Sequence, residues 1–189
     1  MAIPKPRLIS EELWYFIKII LVYACWKVVH AILWWTPESK LAWQLHLLAY
    51  ESFYASLVSS ILNTFFGYHS SIAEGKVILL DTVHTDYNHL IWIAEHCLAI
   101  PAMVVFSFSI LIYKGAIKDK AWFIPLGLFF IFCINLLRLV SLAILKYNLP
   151  ETRFQFYHRY VFVALTYGAI LGLVIWWMER TTKVEKATT

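Results

Sequence analysis

The stretch WFIPLGLFFIFCINLLRLVSLAILK, residues 122–146, decides the fold. Its length matches the roughly 20 residues that a helix needs to cross a bilayer. Only Asn135, Arg138 and Ser141 interrupt the apolar run that follows Pro125 and Gly127. The rest of the 189-residue chain has the same character: 61% hydrophobic, 15% charged, mean hydropathy +0.66. An average soluble domain is about half apolar and about a quarter charged. A single domain this small cannot hide so much apolar side chain. Disorder is excluded on the same ground, and three Cys, an odd number, exclude a disulfide scaffold.

Working outward from 122–146, the apolar runs place five helical segments at about 13–35, 41–65, 97–113, 122–146 and 158–178. The expected fold is therefore all-α: one polytopic membrane bundle spanning residues 1–189. Segment one carries Lys18, Lys27 and His30. In segment two, Ser52, Ser56, Ser59 and Asn63 form a polar stripe that must face protein or water. Residues 66–96 form the one long polar insertion. Glu74, Asp81, Asp86 and Glu95 against Lys76 give it a net charge of −3. Two β-prone runs within it, Val77–Leu80 and Leu90–Ile93, suggest a small hairpin lid. Residues 147–157 read as a second loop on the same side.

Charge sets the topology. The connection KGAIKDKA at 114–121 and the tail from Glu179 are basic and read as cytoplasmic, which makes 66–96 external. Counting spans back puts the N-terminus outside, while Lys5 and Arg7 argue for the reverse. Either that basic pair is overruled, or segment one or two does not fully span. No cleavable signal peptide is expected, since no small-residue cleavage site follows the first apolar run. The net charge of +4 falls in short clusters between apolar runs, so no nucleic-acid partner is expected.

This topology brings three chemical groups to one membrane surface. Cys97 opens segment three, and Arg138 lies within reach of the external end of segment four. His158 opens segment five. Pro101 has no N–H to give the Cys97 carbonyl, so Cys97 sits at or before the first helical turn. A helix N-terminus and a nearby cation lower a thiol pKa. A Cys nucleophile needs a base and then an acid, and His serves as both near neutral pH. Arg can stabilise an oxyanion or hold a substrate carbonyl. Asn135 shares a helix face with Arg138, and Asn135, Glu95 and His96 are the expected supporting or substrate-contacting residues.

Each residue also has a plainer role. Cys25 and Cys133 read as buried hydrophobes. Arg138 could pair with Glu51, and His158 could be an ordinary interfacial residue. The acidic and His groups at Asp81, His84, Asp86, His89, Glu95 and His96 fit no tight metal motif. The chain has no HExxH, no GxSxG elbow and no phosphate-cradling Gly loop. No metal or cofactor is expected.

EHCLAIPAMVVF (95–106), NLLRLVSLAIL (135–145) and FYHRYVF (156–162), in that order, resemble the exosortase/archaeosortase family over roughly residues 75–178. The short length is similar to that of the exosortase X type of the Bacteroidota. Larger members have about eight spans, and many place small residues directly after the Cys, where this chain has Leu98. The resemblance implies a membrane cysteine protease-transpeptidase of the bacterial cytoplasmic membrane, active at the external or periplasmic face. Cys97, Arg138 and His158 would be its triad. The implied partner is a membrane protein with a C-terminal helix and basic tail, with a lipid or amine as acceptor. Two other classes compete with it. One is a non-catalytic membrane scaffold or transporter subunit, and the other is a metal-dependent hydrolase built on the 84–96 cluster.

Overall fold

A computed structural model describes residues 11–73, 76–80 and 90–188, with the side chains of 11–12, 73, 76–80, 90, 96 and 182–188 left aside. The bundle is helical as the apolar runs require. Its elements are α1 (Glu11–Leu33), α2 (Pro37–Phe65), α3 (Ile100–Ile112), α4 (Ile117–Asn148), α5 (Glu151–Phe156) and α6 (Phe162–Thr188). Four helical stretches are long and apolar enough to cross a membrane: 13–33, 37–65, 117–148 and 151–181. The chain is thus compatible with a multi-pass membrane protein.

Local chemistry accounts for the helix limits that differ from the apolar runs. The α2 helix starts at Pro37 rather than near residue 41. The Thr36 hydroxyl accepts from the Ser39 N–H at 3.2 Å, and Pro occupies the first turn, where its missing N–H costs nothing. The third segment begins at Ile100, because Glu95–Cys97 form a 3₁₀ turn and Ala99 adopts a left-handed conformation at φ 56°. The expected loop at 147–157 reduces to Leu149 and Pro150, after which α5 starts at Glu151.

The insertion forms a three-stranded antiparallel sheet in the order β1-β2-β3: His69–Ala73, Lys76–Leu80 and Leu90–Trp92. The β2–β3 pair is the expected hairpin, with Val77 opposite Ile91. Its polar centre, 81–89, lies outside the described residues. The β1 strand was not expected, since HSSIA has little β character. Part of the polar stripe of α2 holds it in place. Asn63 Oδ1 accepts from the Ser70 N–H (2.9 Å) and hydroxyl (2.8 Å), and the Ser59 and Ser70 hydroxyls pair at 2.6 Å. Ser56 departs from the expected stripe. It is exposed and returns its hydroxyl to the Ser52 carbonyl at 2.8 Å, a bond that hides a polar group within its own helix.

Aromatic and polar contacts fix the helix directions. At one end, the Tyr15 hydroxyl donates to the Ser109 carbonyl at 3.1 Å, and the Tyr15 ring lies 5.0 Å from Tyr113. At the other end of α1, His30 meets Glu95. Helix α1 thus runs antiparallel to α3 and begins at the 113–117 turn. Phe123 stacks on Trp177 at 4.6 Å, so α6 also ends at that face. Tyr54 meets Phe132 at 5.2 Å and Tyr68 meets Tyr147 at 5.3 Å, so α2 runs parallel to α4 and ends at the opposite face. Helix α1 thus starts at the same end of the bundle as the basic 114–121 connection. Lys5 and Arg7 themselves lie outside the described residues.

Two cores meet at the Cys97 turn. One packs α2 against α4 and includes Tyr54, Val58, Leu62, Cys97 and Leu98. The other joins α1, α3, α4 and α6 and includes Ala99, Phe106, Phe123 and Trp177. Helices α3 and α4 approach closely because Gly127 carries no side chain. A Cβ there would lie 2.2 Å from Phe106 Cζ. Gly127→Ala should cost about 1–3 kcal/mol, read as a lower unfolding temperature in detergent and relieved by a second Phe106→Leu substitution. Cysteines placed at Trp14 and Lys118, in a chain lacking its native thiols, should be labelled from the same side of the membrane by an impermeant maleimide.

Candidate active site

The site is built upward from one backbone carbonyl. In a continuous helix the Cys97 carbonyl would accept from the N–H of residue 101, but Pro101 has none. The turn closes on its own short bonds, with the Cys97 N–H on the Ala94 carbonyl at 2.7 Å and the Leu98 N–H on the Glu95 carbonyl at 3.1 Å. The Cys97 carbonyl then accepts from the Asn135 side-chain Nδ2 at 2.7 Å. Asn135 is fully buried on α4. Tyr54 and Asn135 lie close enough to interact, but neither the Tyr54 hydroxyl nor Asn135 Oδ1 has a hydrogen bond.

The depth of this turn follows from α4. Asn135 lies 18 residues after Ile117, about 27 Å along the helix. That is close to the roughly 30 Å of a hydrocarbon core. The Cys97 turn lies at this level of α4, and the last turns of α4 continue beyond it. Arg138 lies about one turn further along α4.

Cys97 and His158 line one cavity of about 180 Å³. The β3 strand supplies Ile91 and Trp92 to its wall, and α4 supplies Leu139, Leu142 and Lys146. At the rim Lys146 pairs with Glu151, which also accepts from Gln155 Nε2 at 2.6 Å. The Phe154 ring lies beneath this pair, 4.9 Å from Lys146 Nζ, and stacks on the His158 imidazole at 5.8 Å and 12°. His158 sits in a π-helical turn, Tyr157–Val161, closed by the Phe162 N–H on the Tyr157 carbonyl. Such turns recur at functional sites because the extra residue re-aims a side chain.

The other expected residues fall into distinct places. Arg138 is not part of the cavity lining, yet its charge reaches the Cys97 thiol. Its Nε is buried without a hydrogen bond, and no ion pair with Glu51 accounts for it among the described contacts. Glu95 turns away from the cavity. Its carboxylate accepts from His30 Nε2 of α1 at 2.7 Å and from Trp43 Nε1 of α2 at 3.4 Å, which ties the Cys97 turn to both helices. The backbone of His96 lies in the turn, and its side chain lies outside the described residues. No group of three metal-binding side chains exists among the described residues, and most of the 81–96 cluster lies outside them. Sequence reasoning missed Trp92, Phe154 and Gln155 as wall residues. Only Phe154, at i, i+4 to His158, carried a usable spacing signal.

The expected depression of the Cys97 thiol is not what the structure shows. Cys97 is 5% exposed. Burial pushes its thiol above the ordinary value, and the Ala94 backbone and Arg138 pull it back by less. Glu51 pushes it further up. The 3₁₀ turn is too short, and too interrupted by Ala99, to aim a helix N-terminus at the sulfur. Alkylation of Cys97 by a small neutral reagent should therefore rise with pH through a midpoint above that of an ordinary thiol. Arg138→Gln should move the midpoint higher, since it removes a charge that favours thiolate. Asn135→Ala should leave the Cys97 carbonyl without its donor and cost about 1–3 kcal/mol, read by thermal unfolding of the purified protein.

Comparison with protein-family models, with curated proteins and with solved structures finds no match to this chain.

Proposed function

We propose that this chain is a membrane cysteine peptidase or transpeptidase, with Cys97 as nucleophile and His158 as acid-base partner. It would cleave a target membrane protein near a C-terminal anchoring helix, at the external face of a bacterial cytoplasmic membrane. One observation carries this reading: Cys97 and His158, far apart in the chain, line the same cavity. The sequence resemblance to exosortases supports the class of target.

In this reading the resting thiol is stored neutral by burial. Its proton passes to the His158 imidazole as sulfur attacks the scissile carbonyl carbon. Negative charge then develops on the carbonyl oxygen, and Arg138 stabilises it through its field. Collapse breaks the C–N bond, and the imidazolium returns the proton to the leaving amine. The thioester is released by an amine or lipid-linked acceptor, or by water.

A second reading, a non-catalytic scaffold or transporter subunit, draws on the same buried neutral thiol. Substitution separates the two. Cys97→Ala should abolish processing of a co-expressed target while the protein remains in the membrane. His158→Ala should slow processing by roughly 10²–10⁴-fold, and Arg138→Ala by roughly 10²–10³-fold. Normal processing by Cys97→Ala would overturn the peptidase reading in favour of the scaffold.

A further inference from the structure

The His158 side chain has two rotatable bonds, and the outer one, which sets the plane of the imidazole, has only a broad, roughly two-fold preference. Rotamer preference alone therefore does not fix that plane. Both ring nitrogens lie in it, so its orientation decides whether either can take a proton from sulfur. The Phe154 ring supplies a flat surface nearly parallel to the imidazole, at 5.8 Å between centres and 12° between planes. Phe154 is itself held. Its side chain is buried, and Lys146 Nζ lies 4.9 Å from its ring centre. Lys146 pairs with Glu151, which opens α5, and Gln155 donates to the same carboxylate one turn later. A helix of six residues has little stability of its own. These contacts clasp α5 to α4 and place the Phe154 ring in the wall of the cavity that Cys97 and His158 share.

We propose that Phe154 is a positioning residue for the acid-base step: its ring holds the His158 imidazole in the plane from which it takes the Cys97 proton. The proposal rests on the cysteine peptidase reading. It deepens that reading by adding a residue that acts on the thiol only through His158. The face of an aromatic ring also attracts a cation laid against it, so the imidazolium formed during the transfer rests on a complementary surface. Glu151 offsets the Lys146 charge near the same ring, and the new cation does not meet an uncompensated one.

Alkylation by iodoacetamide tests this on the full chain in detergent. The Cys97 sulfur displaces iodide, forming a C–S bond as the C–I bond breaks, and the thiol proton passes to His158 and then to buffer. Labelling at Cys97 is read by mass spectrometry at neutral pH. Phe154→Leu should slow it about tenfold, and Phe154→Met, which also lacks a flat face, should do the same. Phe154→Tyr, which keeps the flat face, should stay within about twofold of the unmodified protein. His158→Ala should slow labelling as well, and adding Phe154→Leu to it should slow labelling no further. A loosened fold would expose the buried Cys97 and speed labelling, so it cannot mimic these losses. A loss of the same size with and without His158 would overturn the proposal. So would faster or unchanged labelling in both Phe154→Leu and Phe154→Met, or a Phe154→Tyr as slow as Phe154→Leu. In each of these cases a slow His158→Ala leaves the Cys97–His158 pairing standing. If His158→Ala labels as fast as the unmodified protein, the pairing fails and takes the role of Phe154 with it.

Discussion

The hydrogen bond from Asn135 to the Cys97 carbonyl is the constraint on which the site depends. Pro101 withdraws the N–H that an ordinary helix would have supplied. An unsatisfied carbonyl buried between two apolar cores would cost about 1–3 kcal/mol. The chain resolves this with a side chain from another helix, and so locks the Cys97 turn to α4. The same deviation lets the backbone turn through Ala99 in a left-handed conformation. Such strain in a residue with a Cβ persists only where its surroundings over-determine it. Here Leu98 is fully buried in one core and Ala99 in the other.

Burial and electrostatics oppose each other around the thiol. The packing that fixes Cys97 also removes it from water and disfavours its charged form. Arg138 works against this, and Glu51 works with it. The balance is a neutral resting thiol that shares its cavity with the His158 imidazole and with Lys146, Glu151 and Gln155. Glu95 serves the same turn from behind. By tying α1 and α2 to it, it makes the position of Cys97 depend on helices that supply no residue to the cavity.

Much of the architecture was legible from apolar runs alone, because span length and charge bias are local properties of a membrane sequence. The β2–β3 hairpin was legible for a similar reason, as its strands carry β-prone residues. The first strand was not, because HSSIA becomes a strand only when Asn63 and Ser59 of α2 take up the polar groups of Ser70. The course of α1 was ambiguous, since hydropathy counts helices without giving their directions. Contacts at both ends of α1, Tyr15 to Ser109 and His30 to Glu95, settle that question. Among site residues, Cys97, His158 and Asn135 could be picked out by type and position. The wall residues Trp92 and Gln155 could not, because nothing local marks a residue that faces a cavity formed with several other elements.

By itself the sequence determined the membrane class, the five helical segments, the break ahead of Pro101 and the residue types able to do thiol chemistry. All of these follow from composition, period and the missing N–H of one proline. The tertiary structure alone decided the shared cavity of Cys97 and His158, the donor for the Cys97 carbonyl and the direction of the thiol's shift. Those are set by distance and burial between segments far apart in the chain. A local pattern that predicts a helix N-terminus beside a cation cannot weigh either against the loss of water around the sulfur. Desolvation is a property of the packed bundle, and in this bundle it outweighs both.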